Sequence, residues 1–212
     1  MDLHDLVSLP DFERAAAAML PRMAFDYFAA GSGGEAALRR NVEAFERVTL
    51  RYRVLRGVGR PDTSVALLGR RHSLPVVIAP TAFMRLAHPD GEPAVARAAA
   101  ACGVTQGLST LSTVRLGEVA AAAEGPKWFQ LYVFRDRDLT ASLVRRAEVA
   151  GYEALVVTVD APVLGTREAD VRNRFSLPDG LLPANLLDAA PTEVRAAGDA
   201  SGLQQYFAAN ID

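Results

Sequence analysis

The sequence predicts an α/β chain built as half of a (β/α)₈ barrel, and three observations carry that prediction. Four short apolar runs, Val76–Thr81, Thr105–Thr110, Trp128–Tyr132 and Leu155–Asp160, recur along the middle of the chain. Helix-like stretches separate them, a rhythm that means parallel strands with helical crossovers. Each run also ends in small or polar residues, so Thr81, Ser109, Gln130, Tyr132 and Thr158 fall at C-terminal strand ends, where such barrels build their active sites.

Taken in order, the first third reads as helical. Asp11 is a plausible N-cap ahead of an alanine-rich run, and Pro21 interrupts the pattern after Leu20. Ala24–Ala30 then runs into Gly31-Ser32-Gly33-Gly34. No strand precedes that cluster and no Gly-Lys-Ser/Thr follows it, so it reads as a helix end and not a phosphate loop. A helix from Glu35 to about Phe45 leads to the basic extended segment Leu50–Leu55, and Pro61–Gly69 reads as a loop with a short strand. Between the four strands, helices are expected over Glu92–Cys102, Leu116–Glu124 and Asp138–Ala150. Gly103 is placed as a C-terminal cap, and Leu139, Leu143 and Ala147 line one face of the third helix. Residues 161–212 hold prolines and short apolar clusters and resemble a long loop with one or two short helices, as lids and substrate-binding segments often do. The chain thus divides into a helical lead-in with an extended segment (1–75), four βα strands (76–160) and a long active-site loop (161–212).

Composition narrows the function classes. Half of the 212 residues are apolar, 23% are charged and the net charge is −2, with both signs interspersed. That balance lacks the basic footprint of a nucleic-acid partner. No apolar run approaches the ~20 residues of a membrane helix, and the N-terminus has no secretory pattern. Cys102 is the only cysteine, so no internal disulfide exists and a cytoplasmic location is expected. Within Ala98–Cys102 it reads as a small buried helix residue and not a catalytic thiol.

Five motifs then follow one another at compatible spacing: Phe25–Gly31, Ile78–Ala82, Leu86–Glu92, Phe129–Tyr132 and Leu164–Asn173. Together they resemble the FMN-dependent α-hydroxy acid oxidases and dehydrogenases, and the resemblance runs from near Leu9 to Asp212. It implies a TIM barrel with FMN across the C-terminal mouth, a small 2-hydroxy acid as substrate, and a 2-oxo acid as product. Electrons pass to the flavin and then to oxygen or another acceptor. By the same resemblance, Ala79, Pro80 and Thr81 border the reactive edge of the flavin, while Ser109, Gln130 and Thr158 hydrogen-bond its polar rim. Tyr27, Tyr132 and Arg167 bind substrate: Arg167 and Tyr27 at the carboxylate, Tyr132 also acting catalytically on charge developing at the reacting oxygen. Read from the residues alone, Tyr27 also fits a surface helix, Tyr132 a barrel layer, and Arg167 an ion pair with Glu168 or Asp170. Asp160 reads as a loop anchor outside the catalytic set.

The resemblance also implies a histidine base in a Ser-Asn-His-Gly-Gly motif on later strands. The three histidines here are His4, His72 and His88, and none holds that position. The expectation is a C-terminal half-barrel partner, as a second chain or further segment, without which the chain is inactive; the assembled enzyme is expected to be a homo-oligomer. A non-catalytic half-barrel association module is the alternative, and a different FMN or phosphate-binding barrel enzyme a third. The segment Leu108–Ser112 has leucine where glycolate oxidases commonly carry tryptophan, so a bulkier substrate side chain, aryl groups included, is expected to be admitted.

Overall fold

The computed structural model describes residues 3–57, 59–160, 165–187 and 210–211. Three helices lead in: α1 (Leu9–Met19), α2 (Arg22–Ala29) and α3 (Ala36–Glu46). The first begins two residues before Asp11, with Ser8 as its N-cap. Asp11 instead accepts the Ser8 backbone N–H at 2.8 Å from inside the first turn. Residues 48–54 belong to no helix or strand. The segment expected to be a loop with one short strand is an antiparallel hairpin, β1 (Val65–Leu67) and β2 (Arg70–His72). Its turn places both Leu68 and Gly69 at positive φ, 47° and 78°, as the tightest hairpin turns require. His72 accordingly lies on a strand and not in a loop; it is buried, with Nε2 2.5 Å from Thr105 Oγ1.

The four βα units form a parallel sheet in the order β3 (Val77–Ile78), β4 (Thr105–Leu108), β5 (Lys127–Tyr132) and β6 (Ala154–Thr158). Strands β3, β4 and β6 end before the runs expected for them, whose polar ends turn away into loops, whereas β5 keeps the expected end at Tyr132 and starts one residue earlier, at Lys127. The helices are α4 (Gly91–Cys102), α5 (Leu116–Ala121) and α6 (Arg137–Val149), with α7 (Glu168–Asn173) after β6. Helix α5 ends three residues early. The buried Lys127 ammonium donates beyond its end to the carbonyls of Ala123 at 2.6 Å and Gly125 at 2.9 Å. Burial pushes the Lys127 pKa down.

Register decides which side chains meet the helices. On β5, Phe129 and Leu131 are buried in the same cluster as Leu139, Leu143 and Ala147 of α6, spaced four apart as the sequence predicts. Burying each of the Phe and Leu side chains contributes about 1.5–3 kcal/mol, and the Ala147 methyl group less. The opposite face carries Trp128, Gln130 and Tyr132, aligned with Gly107 on β4 and with Ala154, Val156 and Thr158 on β6. Gly107 is required there, since a Cβ would lie 3.0 Å from Pro80 Cδ and 3.1 Å from the Ile78 carbonyl. Gly103 closes α4 at φ 65°, as expected. Cys102 does not follow expectation: it is exposed at the last position of α4, past the buried Ala96 and Ala99. Among the described residues, no helix is long and apolar enough to cross a membrane.

Candidate active site

All the strand-end residues singled out from the sequence lie on the C-terminal side of one sheet. Gln130 is the hub. Its Oε1 accepts the Thr110 N–H at 3.1 Å and the Ser109 hydroxyl at 3.4 Å, and its Nε2 donates to Thr158 Oγ1 at 2.8 Å. The hydroxyl of Thr110 donates to the Gln130 carbonyl at 2.6 Å. Three strands, β4, β5 and β6, are therefore laced together at their ends by buried or half-buried polar groups. Beyond β3, Ala79 and Pro80 are exposed and Thr81 is half-buried, its hydroxyl donating to the Ala79 carbonyl at 3.3 Å. Beside Thr81, a cavity of about 300 Å³ is lined largely by apolar side chains, among them Phe28, Met84 and Val95.

A second group forms where α2 meets the segment after β6. Tyr27 stacks on Phe175 with ring centroids 4.7 Å apart and planes 12° from parallel. The Arg167 guanidinium lies over the Tyr27 ring, 5.2 Å from its centroid, and also donates to the Tyr27 carbonyl. Its Nε lies 2.8 Å from the buried Asp170 carboxylate. Of the two ion-pair partners open to Arg167 in the sequence, Asp170 is the one it takes; Glu168 pairs with Arg172 instead. The two segments are tied further by Asn173 Nδ2 donating to Asp26 at 2.7 Å and by the Gly33 N–H donating to the Thr166 carbonyl at 2.8 Å. Gly165 allows this approach, since a Cβ there would lie 2.7 Å from Ser32 Oγ.

The electrostatics keep both phenols protonated. Burial pushes Tyr27 up to about 12, opposed by the Arg167 charge and aided by Asp170 and Tyr132. Burial also raises Tyr132, with the Asp160 carboxylate adding to the effect. Tyr132 is thus coupled electrostatically to both Asp160 and Tyr27. Asp170 is raised by desolvation, which outweighs the pull of Arg167, and Asp26 pushes it the same way.

Sequence reasoning missed two buried anchors. Glu92, in the first turn of α4, accepts from Thr113 N–H at 2.7 Å, Thr113 Oγ1 at 2.6 Å and Met84 N–H at 3.3 Å, tying the loops after β3 and β4 together. Asn185 grips the loop after β4 from the other side. Neither has a local signature; a Glu inside an otherwise apolar helix start was the one available clue. His88 is tied into its own turn, its Nδ1 accepting from Asp90 N–H at 3.2 Å. Among the described residues there is no metal-ligand cluster. A groove of about 780 Å³ between α5 and α6 lies on the helix layer and holds none of these groups. Leu164 and most of the loop expected over 161–212 fall outside the described residues.

Comparison with known proteins bears directly on this arrangement. A family model described as FMN-dependent dehydrogenase matches residues 16–211. Glycolate oxidase 1 of Zea mays is 44% identical over 208 residues, covering 98% of this chain and 56% of that protein. L-lactate oxidase of Nostoc sp. is 47% identical over 210 residues, 97% of this chain and 58% of that one. A solved structure of mandelate oxidase with (S)-4-hydroxymandelic acid superimposes with a TM-score of 0.89 at 46% identity, covering 97% of this chain and 57% of that chain. The chain spans about half the length of the curated relatives it matches.

Proposed function

The chain belongs to the FMN-dependent dehydrogenase family, and on that premise we propose that it supplies the substrate-gripping and flavin-facing half of an enzyme. That enzyme oxidises a small 2-hydroxy acid to the 2-oxo acid, with electrons passing to FMN and then to oxygen or another acceptor. The observation that carries the reading is the Tyr27–Arg167 pair, a protonated phenol and a guanidinium brought together from 140 residues apart.

The donor set suits FMN. Gln130 has a second amide hydrogen, and Thr158 a hydroxyl hydrogen, beyond the bond they share, and Ser109 lies beside them. Hydroxyl and amide groups are what the carbonyls and ring nitrogens of a flavin's polar rim require. We assign Ser109, Gln130 and Thr158 to that rim, and Ala79, Pro80 and Thr81 to the reactive edge. When bound, FMN supplies the two-electron acceptor; the protein supplies placement and charge.

On this reading Arg167 binds the substrate carboxylate through charge-assisted hydrogen bonds, with Asp170 beside its Nε. Tyr27 adds a phenolic donor that stays protonated at neutral pH. Tyr132, also held protonated, donates to the reacting oxygen as charge develops there. Removal of the substrate proton needs a base. His72 is buried against Thr105 and His88 is tied into its turn; the family resemblance assigns the base to a histidine of a C-terminal half-barrel. Without one, proton removal slows by about 10²–10⁴-fold, so these residues alone are expected to turn over no substrate. Leucine in the Leu108–Ser112 segment and the similarity to mandelate oxidase support an aryl 2-hydroxy acid among the substrates. A single cysteine supports a reducing, cytoplasmic setting, and the family resemblance supports a homo-oligomer.

The test is anaerobic addition of glycolate, lactate or mandelate to the flavin-loaded protein from its own source. Bleaching of the flavin with release of the 2-oxo acid supports the reading. Flavin that stays oxidised with all three overturns it. The exposed apolar strand residues Leu155 and Val157 favour a second reading, a non-catalytic association module, which a flavin-free complex from the same source would establish.

A further inference from the structure

The polar contacts behind the strand-end site converge on one side chain that lies outside it. Asn185, in the segment after α7, is fully buried. Its Oδ1 accepts the Leu116 N–H at 2.8 Å, and its Nδ2 donates to Ser112 Oγ at 2.8 Å and to the Thr110 carbonyl at 3.4 Å. From α6, Arg146 donates to the Asn185 carbonyl at 2.9 Å and approaches Oδ1 at 3.5 Å. The neighbouring Ala184 N–H donates to the Ser112 carbonyl at 2.9 Å. The loop after β4 is thus gripped at residues 110, 112 and 116.

What is gripped matters, because Thr110 holds Gln130. Its N–H donates to Gln130 Oε1, which directs the amide nitrogen of Gln130 to Thr158. A continuous polar chain therefore runs Asn185, Thr110, Gln130, Thr158. Turning the Gln130 amide over would put two N–H donors against the Thr110 N–H, so the Thr110 amide decides which end of Gln130 faces β6. A carboxamide at 185 offers acceptor and donors on one short planar group. Aspartate keeps the acceptor for Leu116 and Arg146 but loses the donors to Thr110 and Ser112.

We propose that Asn185 is a positioning residue for the flavin-facing surface: it sets the 109–112 turn and, through Thr110, the orientation of Gln130. The link to FMN rests on the function proposed above; the chain of contacts does not. The test uses the full chain with FMN as probe, following flavin fluorescence and residue-level hydrogen exchange. Asn185→Ala and Asn185→Asp are compared with Leu143→Ala, which opens a cavity between α6 and β5 and leaves this network intact. Leaving buried partners unpaired is expected to weaken FMN binding about tenfold or more in both Asn185 variants. Exchange at the Thr110 amide is expected to speed by a similar factor, whereas Leu143→Ala keeps FMN affinity within about twofold. Asn185→Asp, with Arg146 beside the new charge, serves where the alanine variant does not fold. Wild-type FMN affinity in a folded Asn185 variant, or equal weakening by Leu143→Ala, overturns the proposal. Should the wild-type chain bind no FMN, the flavin reading fails separately. Exchange then decides: acceleration at Thr110 specific to the Asn185 variants upholds the positioning role, and its absence overturns it.

Discussion

Arg167 makes three kinds of contact at once, to the Tyr27 ring, the Tyr27 carbonyl and the Asp170 carboxylate, and each limits how far the guanidinium can wander. Pre-paid ordering of this kind lets a charged donor discriminate a carboxylate. Arg167→Leu is expected to raise KM for a 2-hydroxy acid about 10–100-fold in the active enzyme, the worth of a charge-assisted hydrogen bond, as steady-state kinetics would reveal. Tyr27→Phe keeps the stack on Phe175 and removes only the phenol, so KM should rise while Tm at neutral pH stays nearly unchanged. The same variant has an alkaline signature. The folded state holds Tyr27 at about 12 against an ordinary value of 10, so its contribution to stability is complete below pH 10. That contribution is lost as pH climbs through about 12. Thermal melts across this window should fall less steeply in Tyr27→Phe than in wild type; parallel curves would remove the assignment. Tyr27 and Arg167 could be singled out from their motifs, but their contact could not, because nothing local in either motif specifies a partner 140 residues away.

Among the elements, β-strand placement was legible because apolar runs ending in polar residues are a local pattern, and so was the cap at Gly103. Replacing that glycine with alanine puts a Cβ at φ 65° and 3.3 Å from Ser73, a cost of about 1–2 kcal/mol readable by chemical denaturation. Strand ends were less legible. The last two residues of the Thr105–Thr110 run leave the ladder because Thr110 spends its N–H on a side chain, a choice made by Gln130 across the sheet. Glu92 acts at the same scale. Glu92→Ala strands the N–H groups of Thr113 and Met84 and is expected to cost at least about 2–3 kcal/mol, lowering Tm and loosening the loops after β3 and β4 together. A change confined to one of those loops would show that the carboxylate does not couple them.

For the molecule as a whole, β3 and β6 each have a neighbour on one side only among the described strands. On β6, Leu155 and Val157 stand on the face that meets α6 at β5, yet they are 42% and 46% exposed. Unpaired backbone beside exposed aliphatic side chains favours association with further polypeptide. The 212-residue chain is therefore expected to self-associate with rising concentration in sedimentation experiments. A Leu155→Lys, Val157→Lys double variant should shift it toward monomer; an unchanged distribution would place the sticky surface elsewhere.

By itself the sequence determined the fold class, the order of the four βα units and the residues at their C-terminal ends, because periodicity, caps and strand-end chemistry are local. It also marked, through its motifs, the residues to which the proposed function assigns anion-binding and flavin-facing roles. Only the tertiary structure decided that Arg167 sits over Tyr27, that Gln130 binds three strand ends, and that Glu92 and Asn185 anchor the loops between them. Those are contacts between residues 8 to 140 positions apart. Their partners are chosen by packing and by the cost of leaving a buried polar group unpaired, neither of which leaves a pattern in the neighbouring residues.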